Sequence, residues 1–96
     1  MRTAKPCYLV EWYGPQFLGA LAQTAAALDA TAASLSNDAE VVRVATLIAV
    51  PIDEVVFGIF VADSAEIVTL TCAQAGFPVQ RLSPAADVEF SQRATQ

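Results

Sequence analysis

The chain has 96 residues, of which 55% are hydrophobic and 16% are charged, and its net charge is -5 with only five basic residues and no His. A chain of this length is expected to form one small domain. The few basic residues form no cluster, which argues against binding to a phosphate backbone, so nucleic acid is not an expected partner.

The apolar content does not predict a membrane span. A spanning helix needs roughly 18 or more consecutive apolar residues, whereas Arg43 and Thr46 interrupt the richest apolar run. The first residues, MRTAKPCYLV, lack the apolar core and cleavage site of a signal peptide. We therefore expect a cytoplasmic protein without membrane contact, in which Cys7 and Cys72 are free thiols.

The first predicted strand covers residues 7–13, CYLVEWY. Glu11 interrupts its apolar side, and a carboxylate there is costly unless it is exposed, paired or coordinating. Gly14 and Pro15 end the strand and begin a helix. An apolar stripe with spacings of three and four then marks that helix along Leu18, Leu21, Ala25, Leu28, Ala32 and Leu35. Asn37 is the candidate left-handed residue at its carboxyl end.

Residues 41–50 and 55–61 predict two central strands joined by a Pro-Ile-Asp-Glu turn. Strict alternation in the first of them places Val42, Val44, Thr46, Ile48 and Val50 on one face. Both faces of both strands are largely apolar, which predicts a sheet covered on both sides.

The second helix is expected to begin with Asp63 as its N-terminal cap and Glu66 three residues later. It should run to about Ala75, where Gly76 and then Pro78 stop it. A short fourth strand is predicted over residues 79–83, broken by Ser83-Pro84-Ala85-Ala86.

The order strand, helix, strand, strand, helix, strand predicts an α+β fold of the ferredoxin-like type, βαββαβ, with a four-stranded antiparallel sheet and two helices on one face. We expect residues 1–96 to form a single domain with an ordered core at about 7–83 and a partly flexible tail at 84–96, where Val88 and Phe90 are the residues able to anchor it. The second sheet face needs a cover, and an apolar patch of that kind marks an interface. A second copy of the chain is the economical cover, either by two sheets facing one another or by joined edges in a shared barrel.

Three segments, YLVEWYGP at 8–15, VVFGIFVADSAE at 55–66 and AGFPVQRL at 75–82, resemble a small bacterial family of ferredoxin-like proteins of unknown function described as nickel-binding. The resemblance covers about Tyr8 to Leu82. It implies a dimeric α+β barrel and a cofactor that is nickel or another divalent metal, and it places the candidate metal ligands at Glu11 and Cys72. Because the chain has no His, and imidazole is the usual Ni²⁺ ligand, we expect weak or absent nickel binding and a bias toward Zn²⁺.

Each candidate has a simpler alternative. Glu11 is either a metal ligand or proton acceptor, or a carboxylate hydrogen-bonded to a tyrosine or to backbone. Cys72 is either a thiolate ligand or a small buried helix residue. The aromatic residues either line a ligand pocket between subunits or fill the core and a dimer interface; they are Trp12, Tyr13, Phe57 and Phe60.

The sequence contains no phosphate-binding loop, no HExxH and no nucleophile with a His partner, so catalytic residues are not predicted. Three functions remain open. The first is a metal-binding protein, the second an enzyme of the cofactor-independent monooxygenase type, which rests on fold analogy, and the third a non-catalytic dimeric module that binds a small ligand or another protein.

Overall fold

The computed structural model describes residues 5–86, which form a four-stranded sheet and two α-helices. The elements in chain order are β1 (Cys7–Tyr13), a 3₁₀ helix (Pro15–Phe17), α1 (Leu21–Leu35), β2 (Val42–Val50), a second 3₁₀ helix (Pro51–Asp53), β3 (Val55–Ala62), α2 (Ala65–Gln74) and β4 (Arg81–Ala86). The sheet order is β2-β3-β1-β4 and every neighbouring pair is antiparallel. The predicted ferredoxin-like α+β fold is confirmed.

Both helices pack on one face of the sheet, and the core lies between them and that face. Alternate residues of β1, Tyr8, Val10 and Trp12, are buried there. They join Leu28 of α1 and Val68 of α2 in one apolar cluster. The indole Nε1 of Trp12 also donates a hydrogen bond of 2.9 Å to the carbonyl oxygen of Phe77, so the buried ring has a polar partner.

The predicted faces of β2 are only half correct, because a β-bulge interrupts the strand. Val44 pairs with Phe60 and Thr46 with the next residue of β3, Ile59, so Ala45 is an extra residue. Beyond the bulge the alternation is reversed. The residues of β2 that face the helices are Val42, Val44, Leu47 and Ala49. Those on the opposite face are Arg43, Thr46, Ile48 and Val50.

The first helix begins later than predicted. Pro15 starts a 3₁₀ turn, and α1 itself begins at Leu21, after Gly19 adopts a φ of 83°. Asn37 is not left-handed; its Oδ1 accepts hydrogen bonds from the backbone N–H groups of Ala39 and Glu40.

The N-terminal cap of α2 is Ser64 and not Asp63. Its hydroxyl accepts a hydrogen bond from the N–H of Ile67. Asp63 instead binds the Nζ of Lys5 at 2.9 Å and the N–H of Val41 at 2.7 Å. The predicted end of α2 is confirmed, since Gly76 follows with a φ of 93°.

The fourth strand was predicted wrongly at both ends, since β4 begins at Arg81 and continues through Pro84 to Ala86. A proline is tolerated there because β4 is an edge strand and its pairing with β1 shifts register between Leu9 and Cys7. Val88 and Phe90 lie outside the described residues. Within residues 5–86, no helix has the length and apolarity needed to cross a bilayer.

Candidate functional site

The sheet face turned away from the helices, called the open face below, is the most distinctive surface of the described chain. All of its residues but one are at least partly exposed, the exception being Val55, which is buried where it pairs with Tyr13 and Val50. Its other apolar members are Cys7, Leu9, Ile48, Val50, Phe57, Ile59 and Val61, and its polar members are Glu11, Tyr13, Arg43, Thr46, Arg81 and Ser83. Neither helix covers this apolar surface.

A polar cluster of Glu11, Tyr13 and Arg81 lies on this face near the end of β1. Glu11 and Tyr13 are two residues apart on the same side of the strand, and the hydroxyl of Tyr13 donates a hydrogen bond to Glu11 Oε1. Arg81 pairs directly with Glu11 across the β1–β4 ladder, and its Nε lies 3.5 Å from Glu11 Oε2. The carboxylate is therefore neutralised and hydrogen-bonded within the chain.

The three side chains differ sharply in exposure. The Glu11 side chain is only 14% exposed, whereas that of Arg81 is 67% exposed. The hydrogen bond from Tyr13 to Glu11 raises the pKa of the phenol, so Tyr13 remains protonated and acts as a donor at neutral pH. The alternative prediction for Glu11, a carboxylate hydrogen-bonded to a tyrosine, is confirmed.

The structure does not bring the two predicted metal ligands together. Cys72 is fully buried in the core cluster with Val10 and Trp12, and Glu11 points to the opposite side of the same strand. Burial raises the pKa of the Cys72 thiol to about 12, which disfavours the thiolate that a metal needs. The simpler alternative for Cys72, a small buried helix residue, is confirmed.

Within residues 5–86, no group of three or more His, Cys, Asp or Glu side chains is arranged to hold a metal ion. Cys7 and Cys72 are both free thiols, as predicted. Metal binding through Glu11 or Cys72 separately stays a prediction.

The predicted aromatic residues are divided between the two faces. Trp12 and Phe60 fill the core, whereas Phe57 and Tyr13 lie on the open face. Arg81 was missed as a site residue. Its signal was a lone positive charge in the fourth strand, which in this topology pairs with the strand that carries Glu11.

Two shallow grooves lie elsewhere on the described surface. One, of ≈ 480 Å³, runs between α1 and the start of β2 and is lined by Asp29, Ala30, Ala32, Ala33, Val41, Val42 and Arg43. The other, of ≈ 450 Å³, lies along α2 and is lined by Ala65, Glu66, Thr69, Leu70 and Ala73. Neither groove includes a residue of the Glu11 cluster, and their linings are mostly small apolar side chains.

Comparisons with family models, with curated proteins and with solved structures found no match to this chain. The resemblance to the nickel-binding family therefore stays a prediction.

Proposed function

We propose that the chain acts as a homodimeric domain that binds a small molecule, with a second copy covering the open face. The observation that carries this proposal is the open face itself, an apolar sheet surface that holds one internally neutralised polar cluster. Exposed apolar patches rimmed by polar residues are typical of interfaces and ligand sites. In a face-to-face dimer, the cluster would lie between two sheets.

The sheet edges favour face-to-face packing over joined edges. At the β2 edge, the hydroxyl of Ser36 is hydrogen-bonded to both the N–H and the carbonyl oxygen of Val42, so neither group is free for another strand. At the β4 edge, Pro84 has no N–H to donate. Bulges and prolines of this kind protect sheet edges from pairing.

The test is sedimentation equilibrium with a matched pair of variants. Ile48 on the open face is 49% exposed and Leu70 on α2 is 45% exposed. The two residues are therefore almost equally exposed but lie on different surfaces of the domain. Ile48→Glu should weaken the dimer at least about a hundredfold, because burying an unpaired charge costs several kcal/mol. Leu70→Glu should leave the dimer intact.

A wild-type protein that sediments as a stable monomer at micromolar concentration would contradict the proposal. Equal weakening by both substitutions would show that the effect is not specific to the open face and would also contradict the proposal. Native mass spectrometry of the same samples reports any retained metal, which also tests whether this chain binds nickel or another divalent ion.

An enzyme of the cofactor-independent monooxygenase type is the second candidate. The hydrogen bond between Tyr13 and Glu11 favours it, because a carboxylate and a phenol on an enclosed sheet face can exchange protons with a bound substrate. Oxygen uptake with a panel of electron-rich phenols separates this candidate from simple binding. An enzyme should consume oxygen, and the rate of uptake should fall in the Glu11→Gln and Tyr13→Phe variants.

A further inference from the structure

We infer that the Glu11 cluster binds the carboxylate of a small, planar, largely apolar acid, with Arg81 as the anion-recognising residue. This inference rests on the proposed dimer, which would enclose the cluster. The polar groups of the cluster that have no partner within the chain are mainly hydrogen-bond donors, and they determine which groups a ligand should carry.

The charged acceptor of the cluster, Glu11, already has partners on both of its oxygens. One oxygen of Glu11 receives the hydroxyl of Tyr13 and the other faces Nε of Arg81. Gln80 uses its Oε1 to accept the backbone N–H of Tyr13 at 2.9 Å, and the NH₂ of that amide has no hydrogen-bond partner among the described residues. The groups without a partner are therefore mainly donors, which favours a ligand that supplies acceptors.

Arg81 supplies the strongest free donors. Its Nε lies 3.5 Å from Oε2 of Glu11, and no hydrogen bond joins the two side chains among the described residues. The side chain is 67% exposed, so its N–H groups are accessible to a ligand. Two parallel N–H groups of a guanidinium match the geometry of a carboxylate. Since Glu11 already balances the charge of Arg81, an anion is held here by the directed N–H groups and not by excess positive charge, which disfavours a doubly charged phosphate.

The apolar neighbours define the rest of the ligand. Phe57 pairs directly with Glu11 on β3, and Leu9 and Ile59 pair with each other one step further along the same face. A flat ring would contact these side chains while its carboxylate reaches Arg81. Aromatic and branched apolar side chains with a few convergent polar groups are typical of small-molecule sites.

The probe for this site is naphthalene-1-carboxylate, compared with naphthalene-1-methanol, which has the same ring and no charge. Isothermal titration of the dimer should show the acid binding more tightly than the alcohol. Arg81→Gln should reduce the affinity for the acid by about tenfold or more and leave that for the alcohol unchanged. Arg81→Lys should retain part of the preference, because it keeps the charge and loses the planar fork.

Arg43→Gln is the matched control, since Arg43 is also an exposed arginine of the open face but lies away from the cluster. It should bind the acid like the wild type. Equal losses in both arginine variants, or equal affinity for acid and alcohol, would overturn the inference. Sedimentation of each variant separates the two failures: a dimer without acid binding removes the ligand class alone, whereas a monomeric wild type removes the proposed function.

Discussion

Gly58 is a position at which the core leaves little room for a side chain. A Cβ placed there would lie 3.0 Å from Cζ3 of Trp12, 3.1 Å from Cδ2 of Leu47 and 3.1 Å from Cε1 of Phe60. Gly58 is buried on the helix-facing side of β3, where the indole of Trp12 crosses over it. The missing side chain is therefore what allows the largest core residue to pack.

Gly58→Ala should destabilise the domain by about 1–3 kcal/mol, because overpacking forces these rings and Leu47 to shift. This cost exceeds the roughly 0.4–1 kcal/mol that alanine gains by restricting the unfolded chain. Urea unfolding followed by fluorescence measures it directly, since Trp12 is the only tryptophan of the chain. A midpoint equal to or above that of the wild type would show that the core accommodates the methyl group.

The buried thiol of Cys72 gives stability a dependence on alkaline pH. Its pKa is raised from 9.0 to about 12 by burial. Below pH 9 the thiol is protonated in the folded and unfolded chain alike and has no pH effect. Between these values the unfolded chain loses the proton and the folded chain keeps it, so stability falls as pH rises, by up to about 1.4 kcal/mol per pH unit.

Cys72→Ala should remove this part of the slope while lowering stability at neutral pH through the lost contacts. Urea unfolding at a series of pH values from neutral to alkaline compares the two proteins. Tyr13, whose pKa is also raised, contributes equally to both. Identical slopes in the two proteins would show that Cys72 is not the group responsible.

At the scale of elements, the pattern of apolar residues was sufficient to predict the order of strands and helices and the type of fold. The same pattern did not predict the features that depend on contacts between residues distant in the sequence. Asp63 and Ser64 are both good caps, and Asp63 is displaced because Lys5 and Val41 bind its carboxylate. Nothing in VVRVATLIAV marks Ala45 as an extra residue. Glu11 could be singled out from its apolar neighbours, whereas its link to Arg81 depends on a register that the sequence does not reveal.

The bulge at Ala45 gives a sharp contrast between two substitutions that strict alternation would treat alike. Val44 packs against the core on the helix side, and Ile48 lies on the open face. Val44→Glu should abolish cooperative folding, because the charge has no partner in the core. Ile48→Glu should keep the circular dichroism spectrum of a folded α+β protein. If both variants unfold, or both fold, the two residues do not lie on opposite faces.

At the scale of the whole molecule, one side of the sheet is covered by the helices and the other side has no cover among the described residues. One sheet face is closed by two helices around a continuous core, and the other presents apolar side chains at partial exposure. Glu11 and Arg81 carry opposite charges and pair within the cluster, so burial of that face would not leave either charge without a partner. A second copy would therefore complete the fold while enclosing a site.

If the dimer completes the fold, thermal stability must depend on protein concentration. Association stabilises the folded state by mass action, so each tenfold rise in concentration contributes about 1.4 kcal/mol per dimer. For a domain of this size, Tm should rise by on the order of 3 °C per tenfold step. Calorimetry across about a hundredfold range of concentration measures the trend, and Ile48→Glu, which we expect to be monomeric, should show a lower Tm that does not change across the range. A wild-type Tm that is equally constant would mean that the open face is stable without a second copy.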